Sequence, residues 1–223
     1  MVLQSQIVSS LLRSKKRWLL TTAVLVITSA FLINVKPAAA HHLLDGRIPA
    51  NFFEGFMTGL AHPIIGLDHF AFVLAIGCLA AGLPRGFLLP GCFLAAAMAG
   101  TGIHLLGVSL PLTEIAVSLS VIIIGIILAF KPNLNVNIIA ALGALAGLFH
   151  GYAYGESIFG AEMTPLLSYL AGFTIMQFGI ALFGMVGANV ASQKFSGRGI
   201  WQRWLGLGIS SIGLVFLSQL FIH

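Results

Sequence analysis

The sequence predicts an all-α membrane protein, a polytopic bundle of six transmembrane helices that follows an N-terminal signal peptide. Its 223 residues are 58% hydrophobic and only 8% charged, and the mean hydropathy is +1.02. Average soluble chains carry about 25% charged residues, so this composition excludes a soluble globular domain. The apolar residues are also grouped in stretches of bilayer-spanning length, with proline, glycine or charged residues between them.

Residues 1–40 have the three parts of an export signal. Basic residues come first, an apolar run from Trp18 to Val35 follows, and Ala38 to Ala40 supply an A-x-A cleavage site. We therefore expect a mature chain that begins at His41, with residues 41–223 forming one membrane domain. An uncleaved N-terminal anchor is the alternative interpretation, and either one leaves residue 41 outside the cytoplasm.

Six apolar stretches follow the signal, and each is long enough for a transmembrane helix, which needs about 20 residues. They cover residues 53–82, 87–108, 112–130, 135–155, 165–189 and 203–222. The first stretch is too long for one straight span. Pro63 lacks a backbone donor and Gly66 permits unusual dihedral angles, so we expect them to divide it into a short outer piece and a spanning piece.

The basic residues predict the orientation of the bundle. With residue 41 outside, the outer segments of the mature chain carry only Arg47, in agreement with the positive-inside rule. The inner loops carry Arg85, Lys131, Lys194, Arg198 and Arg203. Both ends of the mature chain are then extracytoplasmic. Because the basic residues are scattered at segment ends, the net charge of +5 does not indicate nucleic-acid binding.

All seven histidines fall on the outer face or in the outer half of this predicted bundle. They are His41, His42, His62, His69, His104, His150 and His223. Ionisable side chains are costly in a bilayer and usually mark an ion or substrate path. The distribution therefore indicates a site that meets the extracytoplasmic side first.

The first histidine motif runs from His62 to His69 and includes Asp68. Imidazole and carboxylate groups without thiolate are a ligand set for borderline divalent metals. His62 and His69 are seven residues apart, or roughly 10 Å along a straight helix, too far for one shared ion. Either the segment unwinds or the two histidines serve successive positions along a path. Asp68 is then a ligand in unwound backbone or a partner that orients an imidazole.

The second motif runs from Phe149 to Glu156 and places His150 among small residues. Glycines at 143, 147, 151 and 155 form one smooth stripe, which predicts close packing against a neighbouring helix. Tyr152 and Tyr154 are expected in the aromatic belt at the outer interface. Glu156 is a ligand or a solvated loop residue. His104, at a matching depth, is a further candidate, and Glu162 and Gln177 are weaker ones.

These two motifs resemble those of the HupE/UreJ family of nickel and cobalt permeases, often linked to hydrogenase or urease maturation. The matching residues are His62-Pro63-x-x-Gly66-x-Asp68-His69 and Phe149-His150-Gly151-x-Ala153-x-Gly155-Glu156. The resemblance extends over the signal and all six spans. Family members commonly carry one more residue between the last glycine and the acid, which leaves Glu162 as a reserve for Glu156.

The resemblance implies inward secondary transport of Ni²⁺ or Co²⁺ across the bacterial plasma membrane. The metal is then the transported substrate, the lipid bilayer is the surrounding partner, and no tightly bound cofactor is expected. The expected metal contacts are His62, Asp68, His69, His150, Glu156 and His104. The chain contains no Walker A motif, so nothing indicates ATP hydrolysis. The alternatives are an intramembrane zinc-dependent hydrolase and a haem-binding electron carrier with paired histidines.

Overall fold

The computed structural model describes residues 47–130, 134–194 and 199–222, and all regular structure in these ranges is helical. The helices in chain order are α1 (Phe52–Ile65), α2 (Leu67–Ala80), α3 (Leu88–Leu105), α4 (Thr113–Phe130), α5 (Val136–Glu156), α6 (Met163–Lys194) and α7 (Ile200–Ile222). The predicted helical membrane bundle is confirmed. The predicted signal at 1–40, the histidines at 41, 42 and 223, and the basic residues at 131 and 198 lie outside the described residues.

The first predicted span is a broken helix, as Pro63 and Gly66 indicate. Helices α1 and α2 have 14 residues each and meet at Gly66 with a bend of 78°. The Gly66 N–H still donates to the carbonyl of His62 at 3.0 Å, and the chain then starts a new helix. Each piece is only about 21 Å long, less than the thickness of a bilayer core. Five described helices are long enough and apolar enough to span alone, and the bent α1–α2 pair makes a sixth when it is counted as one span.

Small residues set the packing of the helices in pairs. Gly147 and Gly151 of α5 lie directly against the carbonyls of Phe93 and Ala97 on α3, where a Cβ atom would collide. Thr101 strengthens this contact, because its hydroxyl donates to the Gly151 carbonyl at 2.7 Å. The glycine stripe therefore does what the sequence predicts and brings two backbones together. Similar contacts join α1 to α6 and α4 to α7.

The helix pairs fix which ends of the helices lie together. Contacts along α1 and α6 advance in the same direction, as do those along α3 and α5, whereas α4 and α7 are antiparallel. The α2–α3, α4–α5 and α6–α7 connections therefore share one end of the bundle, which holds the exposed Arg85, Lys194 and Arg203. We call this the basic end. The other end holds the exposed Glu156 and Glu162, and we call it the acidic end.

The outer surface of the bundle is apolar, as expected for contact with lipid. Large side chains such as Phe53, Phe87, Leu145 and Phe183 are exposed on it. The two cysteines, Cys78 and Cys92, are free. This surface and the helix lengths describe a multi-pass membrane protein.

Candidate functional site

Three histidines from three helices meet inside the bundle. His62 comes from α1, His69 from α2 and His150 from α5, and their exposed fractions are 3%, 4% and 0%. The 78° bend between α1 and α2 brings the ring centroids of His62 and His69 to 6.0 Å, although they are two turns apart in sequence. The helix break therefore brings together two histidines that a straight helix would hold roughly 10 Å apart. We call these three residues the histidine cluster.

His69 and His150 are in direct contact. Their Nδ1 atoms are 2.7 Å apart, so one ring donates a hydrogen bond to the other. Two imidazole nitrogens bound to one metal at about 2.1 Å, at right angles, would be roughly 3.0 Å apart. A small rotation of the rings would thus admit an ion between them.

His150 is held from two sides. Its Nε2 atom lies 2.8 Å from the hydroxyl of Ser120 on α4. The rings of Phe72 and Phe93 pack against it with centroid distances of 4.7 and 5.8 Å. These contacts fix the orientation of the ring and surround it with apolar groups, so water has little access to it.

His62 lies in a more polar part of the cluster. Its Nδ1 atom is 3.1 Å from the hydroxyls of both Ser157 and Tyr169. The Tyr169 hydroxyl also donates to the backbone carbonyl of Tyr154 at 3.1 Å. These bonds connect α1 to α5 and α6 on the side of the histidine cluster that faces the acidic end.

Tyr154 lies between the histidines, and its predicted place in an interfacial aromatic belt is wrong. The side chain is fully buried, with ring centroids 4.7 Å from His62 and 4.3 Å from His69. Its hydroxyl accepts a hydrogen bond from Gln177 Nε2 at 3.1 Å. The physical reason is helical: residues 150 and 154 are four apart, so both side chains face the same neighbours.

Asp68 is buried at the start of α2, with 4% of its surface exposed. Its Oδ1 atom accepts a hydrogen bond from the backbone N–H of His69 at 2.8 Å. A carboxylate is favoured at this position because the N-terminus of a helix carries partial positive charge. The carboxylate is next to His69 in the chain and within electrostatic range of His150, so its negative charge would offset the charge of an incoming cation.

The structure does not bring His104 and Glu156 into the histidine cluster. Glu156 is the last residue of α5 and is exposed. It follows His150 by six residues, or roughly 240° of helical rotation, so the two side chains face different ways. His104 is half-buried on α3 and packs against Tyr152 and Phe159, with ring centroids at 4.5 and 5.6 Å. Metal binding by these two residues stays a prediction, and the exposed Glu162 likewise lies at the acidic end.

The histidine cluster is not a preformed metal cage. Among residues 47–130, 134–194 and 199–222, no three histidine, cysteine or acidic side chains are arranged to hold one ion as they stand. The polar groups instead form a row through five helices. Its members are Ser157, Tyr169, His62, Tyr154, Gln177, His69, His150 and Ser120.

From the sequence alone, Tyr169, Ser120 and Ser157 are not identified as members of this row. Gln177 is named there only as a weaker candidate. Tyr169 and Gln177 are eight residues apart on α6, with Phe173 midway, and this spacing marks one face of a helix. That signal was available in the sequence. Ser120 and Ser157 had none, because single serines in apolar helices are common and carry no pattern.

Comparisons with known proteins identify the family of the chain. The chain matches the family described as HupE / UreJ protein over residues 29–216. It is also similar to Protein HupE of Rhizobium leguminosarum bv. viciae, with 28% identity over 148 residues, which cover 66% of this chain and 75% of that relative. No solved structure matches the chain significantly. Because the family match covers most of the sequence, the chain belongs to the HupE/UreJ family.

Proposed function

We propose that this protein is a secondary permease that carries Ni²⁺ or Co²⁺ across the bacterial plasma membrane into the cytoplasm. Membership of the HupE/UreJ family supports a role in nickel or cobalt transport or in the accessory systems of hydrogenase and urease. The observation that carries the proposal is the histidine cluster, in which three buried imidazoles and the carboxylate of Asp68 meet at a broken membrane helix. Broken helices at ion sites are a recurring feature of secondary transporters.

The ion enters from the acidic end, where carboxylates raise the local concentration of cations. Glu156 is exposed there and His104 lies nearby on α3, so they provide the first contacts. The imidazole of His62 then replaces part of the hydration shell of the ion. The ring of His62 is held by hydrogen bonds to Ser157 and Tyr169. The charge of Asp68 reduces the cost of bringing a divalent ion into a low-dielectric environment.

The contact between His69 and His150 forms the next position. Imidazole nitrogens suit nickel and cobalt, and neutral rings provide affinity without excess charge. Because the two Nδ1 atoms are hydrogen-bonded to each other, an ion must displace that hydrogen bond to bind. This competition weakens binding, and a transporter benefits because it must release its cargo.

Uptake of radiolabelled nickel and cobalt tests the proposal directly. Cells that lack their own importers would express the full chain or its Asp68→Ala and His69→Ala variants, with membrane insertion checked by immunoblot. The Ser211→Ala variant is a matched control, because Ser211 is buried on α7 and its hydroxyl donates to the Leu207 carbonyl of the same helix. The full chain and the control should accumulate metal, and the two site variants should not. Uptake by both site variants would contradict the assignment.

Nothing in the family relationship favours the alternative functions, an intramembrane hydrolase or a haem-binding electron carrier.

A further inference from the structure

Gln177 has a buried polar atom whose hydrogen-bonding capacity is unused. The side chain lies on α6 and is 0% exposed. Its Nε2 atom donates to the Tyr154 hydroxyl, but its Oε1 atom has no hydrogen-bond partner. Nearly all buried polar groups in proteins are paired, so an unpaired carbonyl oxygen requires an explanation.

The position of Gln177 along α6 places it opposite the helix break. The acidic-end half of α6 packs on α1, where Gly59 contacts Tyr169 and Phe173. The basic-end half packs on α2, where Gly77 contacts Ala181. Gln177 lies between these two contacts along α6. It is eight residues, or about 12 Å, closer to the basic end than Tyr169.

Tyr154 links this side chain to the histidine cluster. The Tyr154 ring touches His62 and His69 on one side, and its hydroxyl holds the amide of Gln177 on the other. An amide fixed by its nitrogen presents its oxygen in a defined direction. The oxygen is therefore oriented before any ligand arrives, and no rotamer has to be ordered on binding.

We propose that the side-chain carbonyl of Gln177 is an oxygen ligand for the divalent ion at a second position, closer to the basic end than His62. This inference rests on the proposed transport function. Carbonyl oxygens bind divalent cations, but as neutral, hard ligands they hold nickel and cobalt less strongly than imidazole does. An ion that moves from imidazole to amide oxygen thus moves toward release, and its binding gives Gln177 Oε1 the partner that it lacks.

Two substitutions at this position test the proposal with opposite expectations. Gln177→Leu keeps the volume but removes the oxygen. Its maximal rate of nickel uptake into proteoliposomes should fall by roughly tenfold or more, the usual effect of losing a group that supports a metal site. Gln177→His supplies a stronger ligand. It should bind nickel more tightly in a calorimetric titration of the purified protein, yet transport it more slowly.

Gln202→Leu is the matched control, because Gln202 is a buried glutamine on α7 at the basic end. This variant should transport nickel like the unmodified chain. X-ray absorption of the nickel-loaded Gln177→His protein should show one additional imidazole ligand. Wild-type uptake by Gln177→Leu, or Gln177→His with unchanged affinity and no added imidazole, would overturn the inference while leaving the transport proposal intact. An unmodified chain that neither binds nor transports nickel or cobalt would overturn both.

Discussion

His69 and His150 are 81 residues apart in sequence, yet their Nδ1 atoms lie 2.7 Å from each other. The contact exists because α2 begins only after a sharp bend and because the glycines of α5 let that helix pack closely on α3. Two imidazoles in contact inside a membrane protein are a candidate site for a cation or a proton. The first prediction concerns this pair.

The pair should behave as one functional unit. We expect His69→Ala and His150→Ala each to reduce nickel uptake by about tenfold or more, and the double variant to be no worse than either single one, because residues that act together are not additive. Uptake normalised to the amount of protein in the membrane measures this. Independent, multiplicative losses would show that the two histidines act separately.

Asp68 combines a charge with a hydrogen bond, and two substitutions separate these roles. Asparagine retains an oxygen that can accept from the His69 N–H but lacks the charge, so Asp68→Asn should fold normally and lose uptake. Asp68→Ala should lose both and also cost about 1 kcal/mol of stability, as other helix N-terminal acceptors do. Thermal unfolding in detergent, measured beside uptake, distinguishes the two variants. Full uptake by Asp68→Asn would remove the electrostatic role.

Tyr169 should matter through its hydroxyl. Tyr169→Phe keeps the packing against Phe173 but removes the group that joins His62 to the Tyr154 carbonyl, so we expect a several-fold loss of uptake without unfolding. Tyr152→Phe is the matched control, because Tyr152 packs on His104 outside the histidine cluster. Equal effects of the two substitutions on uptake would argue against a specific role for the Tyr169 hydroxyl.

The sequence predicts the spans and the helix break well because both depend on local chemistry. Hydropathy reports directly on the cost of burial in lipid, and Pro63 and Gly66 act on their own backbone. The contact between His69 and His150 depends on how helices rotate against each other, and no local signal contains that rotation. The prediction that Tyr154 lies at the interface is also wrong. Tyrosine generally prefers membrane surfaces, but Tyr154 is four residues from His150 and therefore faces the same interior neighbours.

Close helix packing gives a prediction about stability. Gly151→Ala places a methyl group against the Ala97 carbonyl and should force α3 and α5 apart, with a cost of about 1–3 kcal/mol from overpacking. Gly102→Ala, also within a helix, meets nothing within 4 Å and should be neutral or slightly stabilising. The amount of protein that remains soluble in detergent after heating measures the difference. Equal stabilities of the two variants would contradict the role given to the glycine stripe.

The two ends of the bundle give the final prediction, which concerns orientation. The basic end carries Arg85, Lys194 and Arg203, so the positive-inside rule places it in the cytoplasm and the acidic end outside. In a chain with both native cysteines replaced, Glu162→Cys should react with a membrane-impermeant maleimide on intact spheroplasts, whereas Lys194→Cys should react only after lysis. Both positions are exposed in the structure, so access to reagent depends on the membrane alone. The reverse labelling pattern would invert the bundle, and the histidine cluster would then open toward the cytoplasm and favour export over uptake.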